Sequence, residues 1–211
     1  MNEVLVVVAA GPGLGRAVAL RFAREGAAVG LIARPSDDLS QLAAEATDAG
    51  APAVATAGAD VADEASLRAA MAELGAALGA ATVLVYNGSA YVEGPVTALP
   101  ADQLRLALDV GVVGALVAVQ EAVPPMRTAR KGTVLLTGSI AADRASTSAA
   151  AVGVAKAALR SLARSLHKEV AADGVRATTV TIDGVLRGKN ALDVDEIADL
   201  YWDLHTRPEA P

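Results

Sequence analysis

The sequence predicts an α/β protein in which helices cover both faces of one parallel sheet. Continuous apolar runs of strand length are typical of parallel strands buried on both faces. Segments with helical periodicity separate these runs, so six β-α units in succession predict a doubly wound sheet of six strands, with a seventh left open. The runs lie at about 4–9, 28–33, 53–57, 82–86, 132–137 and 175–182.

Local signals support each helix in turn. Gly26 is predicted to end the first helix, Asp63 to cap the third through Ser66, and Pro100 to stand in the first turn of the next. Two long helices, at about 101–123 and 147–172, carry wider apolar faces than contact with one sheet requires. We therefore expect a homodimer or homotetramer that associates through these two helices.

Composition excludes several classes of function. The 211 residues, 53% of them apolar, predict a single domain over 1–211 with a substantial core. The chain has no cysteine and only two histidines, so no metal site is expected. A net charge of −6 disfavours a nucleic-acid partner. The N-terminus does not resemble a signal peptide, and the apolar run at 110–119 is too short to span a bilayer. A cytoplasmic protein with no membrane partner is expected.

A glycine-rich turn follows the first strand. VLVVVAAGPGLG places glycines at 11, 13 and 15, and Leu14 opens the helix that follows. Glycines allow close approach of the main chain to a pyrophosphate, and the helix N-terminus attracts the anion. The dinucleotide fingerprint G-x-G-x-x-G is not met, because Arg16 stands where the third glycine belongs. Both a nucleotide site and a purely structural turn remain open on this motif.

The order of the later motifs resembles the short-chain dehydrogenase/reductase family. The Gly-x-x-x-Gly-x-Gly of that family corresponds to Ala9, Gly13 and Gly15, so alanine replaces its first glycine. The resemblance covers nearly the whole chain and implies a Rossmann-like dinucleotide-binding fold. The other matching segments are Asp60-Val61, Asn87-Gly88-Ser89, Ser139 in TGSIAA, Lys156 in VAKAALRSLARSL and Asp183-Gly184.

The resemblance implies an oxidoreductase with an atypical active site. Ser139 and Lys156 match the catalytic serine and lysine of the family, but Val152 stands where its tyrosine is expected. Gly111 stands where the asparagine of its proton relay is expected. Losing a positioned general acid typically lowers a rate by about 10²–10⁴. Outside these four positions, Tyr91 and Asp183 are candidate replacement acids, whereas Tyr86 is expected to pack at a strand end.

The resemblance also implies a cofactor site. Arg34 follows the second strand, where an acidic residue commonly holds the adenosine ribose, and an arginine there suits a 2′-phosphate. NADP is therefore expected in preference to NAD. The residues expected to bind it are Gly11, Gly13, Leu14, Gly15, Arg34, Asp60, Val61, Asn87, Gly88, Lys156 and Gly184.

Three functions remain open. The first is an NAD(P)-dependent oxidoreductase that acts on a small-molecule substrate, with a proton from water, substrate or a nonstandard residue. The second is a non-catalytic NADP(H)-binding protein, and the third is a relative that has lost binding.

Tyr201, Trp202 and His205 form an aromatic cluster near the C-terminus, and we expect it to pack within the protein instead of lining the mouth of a ligand pocket. Only twelve residues separate Gly184 from Ile197, which predicts an open substrate pocket.

Overall fold

A computed structural model describes residues 3–35, 37, 39–186 and 191–207. Within these residues, six strands form one parallel sheet in the order β3-β2-β1-β4-β5-β6. The chain moves outward from β1 in one direction and then in the other, which confirms the predicted doubly wound sheet. The strands are β1 Val4–Val8, β2 Ala28–Ala33, β3 Val54–Gly58, β4 Val83–Tyr86, β5 Gly132–Ser139 and β6 Val175–Ile182.

Helices cover both faces of the sheet, because alternate side chains of each strand point in opposite directions. The helices are α1 Leu14–Arg24, α2 Ser40–Asp48, α3 Glu64–Leu78, α4 Ala101–Leu108, α5 Gly114–Ala129, α6 Ala150–Val170 and α7 Val194–Thr206. On β1, Leu5 and Val7 pack with α1, α2 and α7, whereas Val6 and Val8 pack with α3, α5 and α6.

The predicted cap of α3 is confirmed, since the Asp63 carboxylate accepts a hydrogen bond from the Ser66 N–H at 3.0 Å. Gly26 also follows α1 as expected, in a left-handed conformation with φ of 80°. Pro100 differs slightly from the prediction, because it precedes the first residue of α4 instead of lying within the turn.

The helix predicted at 101–123 is longer and less regular than expected. It includes a wide π-helical turn, Asp109–Val113, between α4 and α5. It also continues through Pro124 and Pro125 to Ala129, although each proline removes a backbone donor. Burial of Met126 on the sheet stabilises this last part. The second long helix begins at Ala150, because the Ser146 hydroxyl accepts the N–H groups of 148 and 149 before the helix starts.

The continuous helical stretch Ala101–Ala129 has 29 residues and extends well beyond the apolar run at 110–119, which the sequence predicts is too short to span a bilayer. By length and composition alone, it is the one helix among the described residues that is long and apolar enough to cross a membrane. Half of its most apolar window is buried inside the protein. Core helices of soluble proteins pass the same test, so this stretch is weak evidence for a membrane span.

The C-terminal aromatic cluster packs within the fold. Tyr201 is fully buried, and its hydroxyl lies 2.7 Å from the hydroxyl oxygen of Thr137 on β5. Trp202 meets the ring of Phe22 edge to face with the centroids 5.0 Å apart, and the Arg21 guanidinium lies over the Trp202 ring, 5.1 Å from its centroid. His205 lies 3.0 Å from the Thr133 hydroxyl. These contacts attach α7 to α1 and the sheet, as the packing interpretation predicts.

Candidate cofactor cleft and active site

A cleft of about 1040 Å³ opens at the carboxyl ends of β1, β2, β3 and β4. In open α/β sheets, ligands bind at this edge, where the strand order reverses. The volume is at the upper end of the range usual for small-molecule sites, about 300–1,000 Å³. Predicted site residues that line the cleft are Gly11, Arg34, Asp60, Val61, Asn87 and Gly88.

The glycines of the first turn differ in what surrounds them. A Cβ at Gly11 or Gly13 would meet nothing within 4 Å. A Cβ at Gly15 would lie 3.0 Å from the Ala10 Cα and 3.3 Å from the Ala9 carbonyl oxygen. Gly15 therefore allows α1 to pack on β1, whereas Gly11 leaves open space on the cleft side. Leu14 and Gly15 are buried in the first turn of α1 and do not line the cleft.

Ala9 adopts the left-handed conformation, with φ of 61°. This region costs an L-residue roughly 1–2 kcal/mol relative to glycine. The Asn87 side-chain amide donates a 3.4 Å hydrogen bond to the Ala9 carbonyl oxygen, and the Asn87 backbone N–H donates to the Val8 carbonyl oxygen. Asn87 thus holds the β1 and β4 loops together at the floor of the cleft.

Two arginines stand on the rim of the cleft. The guanidinium of Arg34, whose side chain is 71% exposed, forms two 3.2 Å hydrogen bonds with the Asp37 carboxylate. Arg16 forms a 2.5 Å ion pair with Glu45 of α2, and hydrogen bonding from Arg16 lowers the pKa of that carboxyl. Asp60 accepts a hydrogen bond from the Ala62 N–H. The rim therefore carries both positive and negative charges.

Ser139 is the last residue of β5 and Lys156 lies on α6, and neither residue lines this cleft. Lys156 is only 5% exposed, and its ammonium group donates a 2.7 Å hydrogen bond to the Thr137 carbonyl oxygen. Burial lowers the pKa of Lys156 to about 8. The Ser139 hydroxyl oxygen accepts the Ala141 N–H at 3.2 Å, which caps a short 3₁₀ turn, Ile140–Ala142.

Val152 and Gly111, where the resemblance predicts that the family tyrosine and asparagine are replaced, are close to Lys156 on the chain or in space. Val152 lies one helical turn before Lys156 on α6 and is half-buried. Gly111 lies in the π-helical turn, and a Cβ there would approach the Ala155 Cβ to 3.2 Å. A small residue at 111 therefore allows α6 to pack closely on this turn.

The candidate replacement acids are not among the residues that line the cleft. Tyr91 is 69% exposed, and Asp183 forms a 3.1 Å ion pair with Arg144. Gly184 also lies outside the cleft and packs against Leu192. Residues 187–190 of the predicted open pocket lie outside the described part of the chain.

Sequence reasoning missed several residues of the cleft, among them Arg16, Glu45 and Val110. The α2 residues carry no motif, and only the tertiary fold brings them to α1. Tyr86 was expected to do no more than pack, and it is fully buried. Its hydroxyl donates a hydrogen bond to the Val110 carbonyl oxygen, a contact that the sequence does not indicate.

The comparisons with known proteins agree with this geometry. The sequence pattern of the short chain dehydrogenase family matches residues 3–190. The chain belongs to this family. A relative from Sphingomonas, 2-dehydro-3-deoxy-L-rhamnonate dehydrogenase (NAD(+)), is 33% identical over 177 residues, which cover 83% of this chain and 69% of the relative. Meso-2,3-butanediol dehydrogenase of Serratia marcescens is 31% identical over 179 residues, covering 85% and 70%.

Solved structures show the same fold. A short-chain dehydrogenase/reductase from Burkholderia xenovorans matches with a TM-score of 0.87 at 25% identity, covering 96% of this chain and 88% of the other. A xylitol dehydrogenase solved with NAD⁺ matches with a TM-score of 0.91, covering 98% and 93%. At 21% identity, this second likeness concerns the fold alone.

Proposed function

We propose that the protein is an NAD(P)-dependent oxidoreductase with an atypical active site. The observation that carries the proposal is the cleft at the carboxyl ends of β1 and β4, where Gly11 faces open space and Asn87 links the two loops. Family membership supports the same reaction class. The substrate is a small molecule whose alcohol or carbonyl group reacts with the cofactor.

The residues present fit a dinucleotide. The first turn of α1 contains no acidic side chain, so its N–H groups and the helix dipole favour a pyrophosphate. Gly11 leaves room for close approach of that group, and a Cβ there would meet no protein atom within 4 Å. When bound, a nicotinamide dinucleotide supplies a hydride donor or acceptor.

The remaining active-site residues have limited proton chemistry. Lys156 holds a proton on its side-chain nitrogen, and Ser139 retains a hydroxyl hydrogen that can be donated to a substrate oxygen. Val152 offers neither a donor nor an acceptor. We propose that the proton lost with the family tyrosine comes from water, from the substrate or from a nonstandard residue.

We propose NADP as the preferred cofactor on the basis of Arg34. Its pairing with Asp37 is exposed, and exposed ion pairs contribute only about 0–1 kcal/mol. A 2′-phosphate can therefore compete with Asp37 for the guanidinium, to which it offers a doubly charged, bidentate acceptor.

Calorimetric titration with NADPH and with NADH tests the site and this preference together. We expect the wild-type protein to bind NADPH at micromolar strength and NADH more weakly. Arg34→Gln should weaken NADPH binding about tenfold, because a charge-assisted contact is lost, and should leave NADH binding unchanged. Arg24→Gln, at the far end of α1, is the control. No binding of either cofactor by folded protein would contradict the proposal.

Restoring the missing acid tests whether the site is otherwise competent. We expect Val152→Tyr to raise reduction of generic carbonyl compounds by NADPH by about 10²-fold, the lower limit for a positioned acid. Ser165→Tyr, at an exposed position of α6 outside the apolar surface of Val113, Leu116 and Val154, is the matched control. Cofactor binding without turnover in either the wild-type or the restored protein would refute a catalytic role.

We also propose that the protein acts in the cytoplasm as a homodimer or homotetramer. Apolar side chains remain exposed on the two long helices, at Val113, Leu116 and Val154. A second copy of the chain that packs on these helices would remove them from water.

A further inference from the structure

The hydroxyl of Tyr86 lies beneath three segments that line the cleft. It donates a hydrogen bond to the carbonyl oxygen of Val110, in the π-helical turn. A Cβ at Gly88, in the loop after β4, would lie 2.6 Å from the same hydroxyl oxygen. A Cβ at Gly114 would collide with that oxygen and lie 2.6 Å from the Val61 carbonyl oxygen. Val61, Gly88 and Val110 all line the cleft.

These contacts are compatible with tyrosine only because its neighbours are small. Any side chain at Gly88 or Gly114 would displace the phenol ring. Burial, together with the nearby Asp60 carboxylate, raises the pKa of Tyr86, so the hydroxyl keeps its proton and remains a donor. Without the Val110 carbonyl oxygen as acceptor, the buried Tyr86 hydroxyl would be an unsatisfied polar group. The hydroxyl is thus fixed to the π-helical turn.

We propose that Tyr86 is a positioning residue, whose hydroxyl fixes the loop after β3, the loop after β4 and the π-helical turn relative to one another and so sets the width of the cleft. The inference rests on the proposed function in so far as the ligand of the cleft is a dinucleotide. Tyr86 is fully buried and does not line the cleft. It acts through its hydrogen bond to Val110 and through close packing with Gly88 and with Gly114, which lies against the Val61 carbonyl oxygen.

Tyr86→Phe tests this role, with Tyr201→Phe as the matched control. Tyr201 is also fully buried, and Tyr201→Phe removes one hydroxyl contact, that with Thr137. Neither Tyr201 nor Thr137 lines the cleft. We expect both variants to unfold at lower temperature than the wild type. Only Tyr86→Phe should raise the dissociation constant for NADPH, by about three- to tenfold. Equal affinities in the two variants would overturn the inference.

Amide hydrogen exchange of the cofactor-free protein provides a readout that does not depend on binding. Tyr86→Phe should accelerate exchange in 58–63, 87–91 and 108–115, whereas Tyr201→Phe should accelerate it in β5 and α7. Unchanged exchange in the three cleft segments would refute the positioning role even if the wild type binds neither cofactor. Failure of wild-type binding would separately refute the proposed function.

Discussion

At the scale of single residues, Lys156 holds an ammonium group in an interior that offers it one carbonyl oxygen. The family resemblance indicated its position on α6, and the structure adds that it is buried and bonded to β5. In a protein interior the charged form of an amine is disfavoured, which is why burial lowers the pKa of Lys156 to about 8. The same burial makes stability depend on pH.

Stability should rise between pH 8 and pH 10.5. Over this range the unfolded chain, with an ordinary lysine pKa of 10.5, binds more protons than the folded protein. At about 1.4 kcal/mol for each pH unit, Lys156 contributes about 3 kcal/mol to this rise. Denaturant unfolding of the wild type and of Lys156→Met at pH 8 and at pH 10.5 measures this rise in the free energy of unfolding.

The Lys156→Met variant should not show this rise, so the stability of the variant relative to that of the wild type should be greater at pH 8 than at pH 10.5. Lys168→Met, at the exposed end of α6, controls for the general effect of removing a lysine. A constant difference between wild type and Lys156→Met across the range would show that the folded protein does not perturb this amine.

At the scale of elements, the π-helical turn and α6 determine which side chains the active site can hold. Gly111 lies against Ala155, one residue before Lys156. The family resemblance predicts that Gly111 stands at the position of the relay asparagine. The sequence does not predict the packing of Gly111 on Ala155, since this depends on how closely two helices approach.

Gly111→Asn should therefore destabilise the protein instead of restoring the family relay. Its Cβ would lie 3.2 Å from the Ala155 Cβ, and a helix backbone can move only a little, so we expect a loss of about 1–3 kcal/mol. Gly75→Asn is the matched control, because a Cβ on this exposed face of α3 meets nothing within 4 Å. Equal unfolding midpoints for the two variants would contradict the packing argument.

At the scale of the whole molecule, the long helix through α4 and α5 leaves apolar side chains exposed. The sequence indicated its wide apolar face, and the structure shows that only half of its most apolar window is covered. Val113 and Leu116 remain exposed on it, and Val154 is also exposed on α6. Exposed apolar patches of this kind commonly mark interaction sites.

Val113→Asp should dissociate the proposed oligomer. Burying an unpaired carboxylate in an apolar contact costs about 4 kcal/mol or more, which weakens a dimer by about a thousandfold. Light scattering after size-exclusion chromatography measures the mass of wild type and variant. Val96→Asp, at a valine that is 77% exposed and distant in sequence, should leave the mass unchanged. A monomeric wild type would refute the oligomer.

The sequence by itself determined the sheet, its helices and the position of the glycine-rich turn. Apolar periodicity and capping residues such as Asp63 act locally, so they can be read along the chain. Only the tertiary structure decided the left-handed conformation of Ala9, the pairing of Arg16 with Glu45 and the burial of the Tyr86 hydroxyl under the cleft. Each of these depends on contacts between distant segments, which no local pattern encodes.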